Sequence, residues 1–219
     1  MRSDVENFCE EIGADSLLVQ GAGGNISWKE ESDIWVKASG TRLADANKKN
    51  IFVKLSLASL DTSQGDDVID FCEKASKQET LKPSIETALH ILIEHPVVLH
   101  LHAVDVLAYL VRSLSMNELK ELVTPSLSFD FVKYCKPGAD LARSIHAVVS
   151  DGNVDDVIFM KNHGIVLMGS SIREVKAKLM LVLACFSSKP VTSCLLQISH
   201  ETIDGYQLVS DSCIQQLAL

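Results

Sequence analysis

The sequence predicts a single α/β domain, in which helices cover a β-sheet and share one core with it. Segments with strand-like composition alternate along the chain with segments whose apolar residues recur every three or four positions. No internal repeat, low-complexity tract or linker rich in Pro, Gly and Ser divides the 219 residues. Because 47% of the residues are hydrophobic and 22% are charged, the chain can bury a substantial core. We therefore expect one domain over residues 1–219.

Helical periodicity occurs in four segments of the chain. The predicted helices cover residues 3–13, 84–95, 104–111 and 172–186. Ser3 and Glu6 have the spacing of a capping box at the start of the first helix. Ser84 is expected to cap the second helix, with Ile85 as the first residue of its apolar face, and Pro96 stops that helix.

Five segments have the composition of strands, and one glycine-rich segment has that of a loop. The predicted strands cover residues 33–37, 51–57, 97–102, 157–160 and 165–168. The apolar run 157–160 is typical of a strand buried on both faces. Residues 21–27 contain three glycines, so we expect a tight loop there.

Charge and hydropathy exclude several classes of protein. The 29 acidic and 20 basic residues give a net charge of −9, which argues against binding to nucleic acid or to a membrane surface. The longest apolar run, residues 179–186, is less than half of a bilayer span, so no transmembrane helix is expected. The N-terminus lacks the apolar stretch of a secretory signal, and the six cysteines include no C-x-x-C pair. We therefore expect reduced thiols and a cytoplasmic location.

Three of the seven histidines occupy positions suited to a metal ion. His100 and His102 lie two apart on a predicted strand, so both side chains leave the same face. His163 lies at the end of another predicted strand, beside Gly164. Three neutral imidazoles with an open fourth position are typical of a catalytic zinc site. H-x-H is a short pattern, however, and three histidines that are unrelated in space would look the same.

Glu86 also has two interpretations. It falls in the first turn of the predicted second helix, where the helix dipole favours a negative charge, so capping alone would account for it. Alternatively, its carboxylate faces a metal ion, as a ligand or as the group that exchanges a proton with a carbon acid.

Three loops of small residues are candidate anion-binding sites or simple turns. They are residues 23–27, 39–41 and 83–84. The first begins like a dinucleotide-binding fingerprint, but Ile26 stands where the third glycine is required. Neither a phosphate-binding G-x-x-x-x-G-K-[ST] motif nor a G-x-S-x-G motif occurs.

Taken in order, these pieces resemble the class II aldolase/adducin family. The matching segments are residues 23–27 (Gly-Gly-Asn-Ile-Ser), 37–41 (Lys-Ala-Ser-Gly-Thr), 83–86 (Pro-Ser-Ile-Glu), 100–102 (His-Leu-His) and 161–164 (Lys-Asn-His-Gly). The surrounding residues look most like the aldolase half of bifunctional rhamnulose-phosphate aldolase/dehydrogenases, and the motifs are also similar to those of fuculose-phosphate aldolase. No fused dehydrogenase half is expected at this length.

The resemblance implies an α/β/α sandwich around a mostly antiparallel sheet, assembled as a homotetramer. It makes His100, His102 and His163 the ligands of one divalent metal ion per chain, usually zinc, and Glu86 the acid/base. The positions that it assigns to the sugar phosphate are Gly24, Asn25, Ser39, Gly40 and Ser84.

The implied activity is that of a metal-dependent lyase. A ketose 1-phosphate would be cleaved to dihydroxyacetone phosphate and an aldehyde through a zinc-stabilised enediolate. Epimerisation or dehydration of a sugar phosphate at the same site, and an adducin-like interaction module without chemistry, stay open as alternatives.

The chain departs from the family pattern at one position, and other roles are unassigned. Ile85 stands where many of these aldolases have a second hydroxyl, so phosphate binding is weaker, absent or shifted to another donor such as Lys37. Tyr109 and Tyr134 are candidates for the family's tyrosine acid, although each also suits a core or surface position. Lys161 is either a substrate-binding cation or a charge at a strand end.

Overall fold

A seven-stranded β-sheet organises the protein in a computed structural model. The residues described are 1–77, 81–112, 116–123, 125, 127–152 and 156–187. The strands are β1 (Asn25–Glu30), β2 (Asp33–Lys37), β3 (Phe52–Ser56), β4 (Val97–Leu101), β5 (Phe129–Val132), β6 (Val157–Met160) and β7 (Gly164–Gly169). Their order across the sheet is β3-β2-β1-β4-β7-β6-β5, and every neighbouring pair is antiparallel except β5 and β6.

Seven α-helices and one short 3₁₀-helix (Leu43–Asp45) accompany the sheet in the described residues. The α-helices are α1 (Arg2–Gly13), α2 (Gly65–Ala75), α3 (Thr87–Leu92), α4 (Val104–Leu110), α5 (Met116–Leu122), α6 (Ala139–Ser150) and α7 (Ile172–Phe186). None of these described helices is both long enough and apolar enough to cross a membrane.

The helices form a layer on each face of the sheet. One face packs against α1, α4 and α7 around a core that includes Phe8, Ile26 and Leu99. The other face packs against α2, α3 and α6, with Val36 and Val98 among its buried residues. The predicted α/β/α sandwich with a mostly antiparallel sheet is therefore confirmed.

Two local predictions were wrong at the starts of helices. α1 begins at Arg2, before Ser3, so Ser3 lies inside the helix and forms no capping box. α3 begins at Thr87 rather than at residue 84. Ile85 therefore precedes the helix and is 71% exposed, whereas the apolar periodicity placed it on the buried face.

The glycine-rich segment is shorter than the loop predicted over residues 21–27. β1 begins within it at Asn25, because Ile26 and Trp28 are fully buried and pair with β4. β4 is one residue shorter than the strand predicted over residues 97–102. It ends at Leu101, so His102 lies just after the strand.

Cysteine side chains in the described residues are free thiols. Cys9 is buried, and Cys72, Cys135 and Cys185 are partly buried. Burial raises the pKa of the Cys72 thiol to about 12, which disfavours the reactive thiolate. The remaining cysteines of the sequence, Cys194 and Cys213, lie outside the described residues.

Lys29 holds the C-terminal end of α3. Its ammonium donates hydrogen bonds to the backbone carbonyls of His90 (2.9 Å), His95 (3.1 Å) and Ile93. The carbonyls of His90 and Ile93 lie at the end of α3, where they have no partner within the helix, and that of His95 lies beyond it. These hydrogen bonds anchor α3 to β1, and burial lowers the pKa of Lys29 to about 7.

Gly164 allows β7 to begin directly against the end of β4. A Cβ atom at this position would clash with the carbonyl oxygen of Leu101 and would lie 3.2 Å from Cδ2 of His102. The absence of a side chain at Gly164 is therefore a requirement of the strand junction.

The first prediction concerns this junction. Gly164→Ala should destabilise the fold by about 3 kcal/mol, because the added methyl group must displace backbone and not a flexible side chain. Gly21→Ala is the control, since Gly21 has a positive φ but open space around its Cβ position, and it should cost about 1 kcal/mol. Urea unfolding measures both. Equal losses of unfolding free energy in the two variants would show that the contact between Gly164 and Leu101 leaves room for a methyl group.

Candidate metal centre

Three histidines from two chain segments meet where β4 ends and β7 begins. His100 lies in β4, His102 follows it, and His163 lies in the turn between β6 and β7. One nitrogen from each ring lies within 4.8 Å of the other two, and the Nε2 atoms of His100 and His102 are 3.0 Å apart. The structure therefore brings together the three predicted ligands, which are far apart in sequence.

The tautomer of His100 follows from its surroundings. Its Nδ1 lies 2.9 Å from the carbonyl oxygen of Ile165, which can only accept a hydrogen bond. Nδ1 therefore carries the proton, and the lone pair of Nε2 faces His102 and His163. A backbone carbonyl in this role is the usual support for a metal-binding imidazole.

His163 is presented by a turn with an unusual backbone conformation. Asn162 has a φ of 53°, in the left-handed region that Asn tolerates better than most residues. The turn reverses the chain between β6 and β7. Met160, the last residue of β6, pairs with Gly164, the first residue of β7. The Asn-His-Gly sequence thus supplies both the reversal and the close approach to β4.

Glu86 completes the cluster. Its Oε1 lies 3.0 Å from Nε2 of His163, and its Oε2 lies 3.5 Å from Nε2 of His100. Glu86 is the residue before α3, and its carboxylate makes no capping hydrogen bond, whereas its own N–H donates to Oγ of Ser84. Of its two interpretations, the structure favours the carboxylate that faces the histidines.

Burial and mutual contact determine the charges of these groups. Burial raises the pKa of Glu86, but the hydrogen bond from His163 and the charges of the histidines outweigh it and lower the pKa to about 2. Burial lowers the pKa of His100, and it lowers that of His102 to about 4. At neutral pH an ionised carboxylate therefore lies beside the uncharged imidazoles of His100 and His102, the protonation states that metal binding requires.

The donor set fits a divalent metal ion. It combines three imidazoles with one carboxylate, and in His100 the acceptor nitrogen is directed at the others. Two imidazole nitrogens 3.0 Å apart suit a shared proton or a shared cation. His100, His102 and His163 would hold the ion, and Glu86 lies close enough to join them.

His90 was missed by the sequence analysis. It lies on α3, fully buried, with Nδ1 2.9 Å from Oγ of Ser27. Burial, followed by the charge of His100, lowers its pKa to about 3. The available signal was its spacing from Glu86, because residues four apart share one face of a helix.

The three candidate anion-binding loops are adjacent. Ala38 and Pro83 form an isolated β-bridge, and the N–H of Ser39 donates to the carbonyl of Lys82 at 2.8 Å. Gly23 lies beside the histidine cluster, because a Cβ atom on it would be 3.5 Å from Nδ1 of His102. The ammonium of Lys37 donates to the carbonyl of Ala22 at 3.0 Å and so joins the first loop to the second, while the first loop also lies beside His102.

The predicted phosphate positions are distributed over these loops. Gly24 and Gly40 have positive φ angles of 68° and 73°, which suit glycine. Asn25 pairs with His100 across β1 and β4, and its buried Oδ1 has no hydrogen-bond partner within the described residues. Ser84 makes the contact with Glu86 described above. A buried acceptor of this kind is costly unless a ligand or water satisfies it.

Comparison with known proteins decides the family. The model for the class II aldolase and adducin N-terminal domain matches residues 4–187. The chain belongs to the class II aldolase/adducin family. The resemblance that the five motifs indicated is therefore confirmed.

Individual members of this family are distant in sequence. An L-fuculose phosphate aldolase of Methanococcus vannielii is 29% identical over 175 residues, which are 75% of this chain and 82% of that protein. An uncharacterized oxidoreductase of Bacillus subtilis is 29% identical over 177 residues, which are 73% of this chain but 25% of that protein. This chain thus matches only a quarter of the oxidoreductase.

A solved structure agrees with the fold. The N-terminal class II aldolase domain of a conserved protein from Thermoplasma acidophilum has a TM-score of 0.66 at 24% identity. The match covers 84% of this chain and 90% of that domain. At this identity the likeness is evidence for the fold alone.

The motifs left the roles of Tyr109, Tyr134 and Lys161 unassigned, and the structure shows where each of them lies. The ring of Tyr109 packs against Phe186 in the core, with centroids 5.2 Å apart. Tyr134 follows β5 and is 60% exposed. The ammonium of Lys161 donates to the carbonyl of Arg112, which ties the turn before His163 to the end of α4. The described contacts therefore favour a positioning role for Lys161.

We predict that His102→Ala removes the metal ion while the fold is kept. His102 lies beyond the end of β4, so its loss removes a ligand without opening the sheet. His146→Ala, on α6, is the matched control and should keep the ion. Metal analysis of the purified proteins after equilibration with zinc measures this. Stoichiometric zinc in His102→Ala would contradict the assignment.

A further prediction concerns pH and His90. Its pKa in the folded protein, about 3, lies below the ordinary histidine value of 6.5, so its contribution to stability is complete above pH 6.5 and is lost as the pH falls towards 3. Each pH unit in that range should cost about 1.4 kcal/mol. His90→Asn keeps an acceptor for Ser27. This variant should reduce the slope of the unfolding free energy against pH by this amount. Identical slopes from urea unfolding at pH 7, 6 and 5 would contradict the prediction.

Proposed function

We propose that this protein is a metal-dependent aldolase that cleaves a ketose 1-phosphate into dihydroxyacetone phosphate and an aldehyde. The observation that carries the proposal is the ionised carboxylate of Glu86, 3.0 Å and 3.5 Å from two imidazoles of a three-histidine cluster. Family membership supports a lyase, and the name of the relative from Methanococcus vannielii supports a sugar phosphate as the substrate.

A divalent ion at the three histidines would supply Lewis-acid chemistry, since it polarises a carbonyl oxygen and stabilises the negative charge that develops there. We propose zinc, because imidazole nitrogens in an open site suit it. His100 is held by the carbonyl of Ile165, so it presents Nε2 in a constant direction. The side chains of the cluster thus define where the substrate oxygens bind.

Glu86 is the proposed acid/base. Its carboxylate is ionised at neutral pH, which is the protonation state that a base requires. In the synthetic direction it removes the proton from the carbon beside the carbonyl group of dihydroxyacetone phosphate. In cleavage it returns the proton to the same carbon. No lysine Schiff base is needed.

The adjacent loops are the proposed phosphate-binding site. These residues, Gly24, Asn25, Ser39, Gly40 and Ser84, lie in three segments that are joined by backbone contacts and by Lys37, and the first of the segments lies beside His102. Binding of the phosphate at these loops would orient the three-carbon fragment so that one carbon faces Glu86. The loops therefore supply position, whereas the cluster supplies the chemistry.

The assembly and the location of the protein belong to the same proposal. We propose a cytoplasmic homotetramer and one domain over residues 1–219, of which the described part up to Ser187 forms one compact unit. Light scattering at micromolar concentration tests the assembly, and a fully active monomer would contradict it.

Product analysis tests the reaction type. Metal-loaded protein should convert a ketose 1-phosphate into two fragments, observed by NMR in a screen with zinc, manganese and cobalt. One isomeric product would indicate an epimerase, and loss of water would indicate a dehydratase. Absence of metal from equilibrated protein would favour an interaction module without chemistry.

We predict that Glu86→Gln abolishes proton transfer while the metal stays bound. The amide keeps the shape of the side chain but is no base, so exchange of the dihydroxyacetone phosphate proton with solvent should slow by about two to four orders of magnitude. Glu121→Gln, at an exposed position of α5, is the control and should exchange at the wild-type rate. Wild-type exchange in Glu86→Gln would exclude Glu86 as the base.

A further inference from the structure

His90 makes a buried hydrogen bond between α3 and β1. Its side chain is fully buried, and its Nδ1 lies 2.9 Å from Oγ of Ser27, which is fully buried as well. The other ring nitrogen, Nε2, has no hydrogen-bond partner within the described residues. A buried ring with one unsatisfied polar atom costs free energy relative to an apolar side chain, so its presence on this helix calls for an explanation.

The helix that carries His90 is too short to fix its own position. α3 has six residues, and isolated helices of this length are unstable in water. All six residues are buried, and the apolar ones pack into two clusters with the sheet and the neighbouring helices. Apolar contact is not directional, so it opposes a small shift of α3 along its axis less than a hydrogen bond does.

The position of α3 along this axis decides where the carboxylate of Glu86 lies. Glu86 directly precedes the helix, and its Oε1 lies 3.0 Å from Nε2 of His163. Because one residue of an α-helix corresponds to a rise of about 1.5 Å, a shift by even part of that rise would lengthen this contact beyond hydrogen-bonding distance. Glu86 therefore needs a helix that is held against the sheet at one position.

The other attachments of this segment constrain the helix less directly. Lys29 reaches the carbonyls at the C-terminal end of α3 through a long and flexible side chain. The bridge between Ala38 and Pro83 lies before the helix. The hydrogen bond of His90 instead joins two short, fully buried side chains, one on the helix and one on the strand. It is thus the contact best suited to fix the helix itself.

We propose that His90 is a positioning residue for Glu86: its hydrogen bond with Ser27 holds α3 at the position along β1 at which the carboxylate meets the histidine cluster. This inference rests on the proposed function, since it takes Glu86 to be the group that transfers the proton. His90 acts through the backbone of α3. The three candidate metal ligands lie outside α3, so metal binding does not depend on this hydrogen bond.

The alternative is that the hydrogen bond only stabilises the fold. General loosening would weaken ligand binding together with the reaction rate, whereas a displaced base would lower the rate alone. Ser27→Ala and His90→Leu each break the bond, and His90→Asn keeps an acceptor for the serine hydroxyl. Ser128→Ala is the matched control, because it removes another serine hydroxyl, which donates to Asp156 at 2.9 Å beside the edge strand β5.

The experiment measures three properties of each variant. They are the zinc content after equilibration, the affinity of the metal-loaded protein for dihydroxyacetone phosphate, and the rate at which this ligand exchanges its proton with solvent. In Ser27→Ala and His90→Leu the exchange rate should fall by about tenfold to hundredfold, the loss expected from a displacement of about 1 Å. Zinc content and ligand affinity should stay at their wild-type values.

The two remaining variants make the outcome decisive. His90→Asn and Ser128→Ala should exchange the proton at the wild-type rate. A wild-type rate in either Ser27→Ala or His90→Leu would overturn the proposal. A rate that His90→Asn fails to restore would also overturn it, as would a loss of ligand affinity as large as the loss of rate.

A second measurement follows the position of Glu86 in metal-free protein. The ¹⁵N signal of Nε2 of His163 reports the contact with the carboxylate. At pH 7 this signal should shift in Ser27→Ala in the same direction as in Glu86→Gln, and it should stay in place in Ser128→Ala. An unchanged His163 signal in Ser27→Ala would overturn the proposal.

A further variant covers the case in which Ser27→Ala and His90→Leu do not fold. Ser27→Cys fills the place of the hydroxyl with a thiol, which is a weak hydrogen-bonding group. It should slow proton exchange without changing the affinity for dihydroxyacetone phosphate. A wild-type exchange rate in Ser27→Cys would then contradict the proposal.

The same measurements separate this inference from the proposed function. If wild-type protein exchanges no proton of dihydroxyacetone phosphate, the proposed function is refuted, while the His163 signal still decides whether His90 determines the position of Glu86. If the wild type exchanges the proton and Ser27→Ala exchanges it equally fast, the proposed function stands and only the role of His90 is refuted.

Discussion

The antiparallel pairing of β4 with β7 is the contact on which the candidate site depends. Its register sets His100 opposite Val166, and it brings the carbonyl of Ile165 to Nδ1 of His100. The same pairing brings the turn that contains His163 to the end of β4. Because Gly164 has no side chain, its backbone can approach the backbone of Leu101 there. A shift of one residue would turn His100 to the opposite face, so the register and the ligand geometry are a single constraint.

The helix α3 adds the acidic group to this frame, and its attachment explains why Glu86 is well placed. Glu86 lies just before the helix, and Lys29 holds the opposite end through three carbonyls. The segment before the helix is joined to β2 by the bridge between Ala38 and Pro83. The carboxylate is therefore fixed from both sides without using its own oxygens, which stay directed at the imidazoles.

Much of this arrangement could be predicted from sequence, and the failures have physical causes. β4, β6, β7 and α7 have strong apolar patterns because they are buried, and the H-x-H motif lies on such a strand. The start of β1 was assigned to a loop, because the glycines that precede the strand dominate the local signal, although Ile26 faces the core. Helices α2 and α6 and strand β5 were not predicted, because each buries only a few apolar residues. The burial of His90 was not predicted, because its hydrogen-bond partner, Ser27, is distant in sequence.

Buried lysines show how the fold treats charge at its junctions. Lys178 is neutralised by Asp156 and Glu174, and Lys29 is solvated by helix carbonyls, so each charge is compensated within the described residues. Lys37 contacts two carbonyls, and in the part of the chain that the structure describes no carboxylate lies within ion-pair distance of it. A full positive charge that partial dipoles alone stabilise attracts an anion more strongly than a paired one does. The junction at Lys178 is therefore neutralised, whereas burial lowers the pKa of Lys29 to about 7 and that of Lys37 to about 8, because carbonyl dipoles compensate a buried ammonium less fully than a carboxylate does.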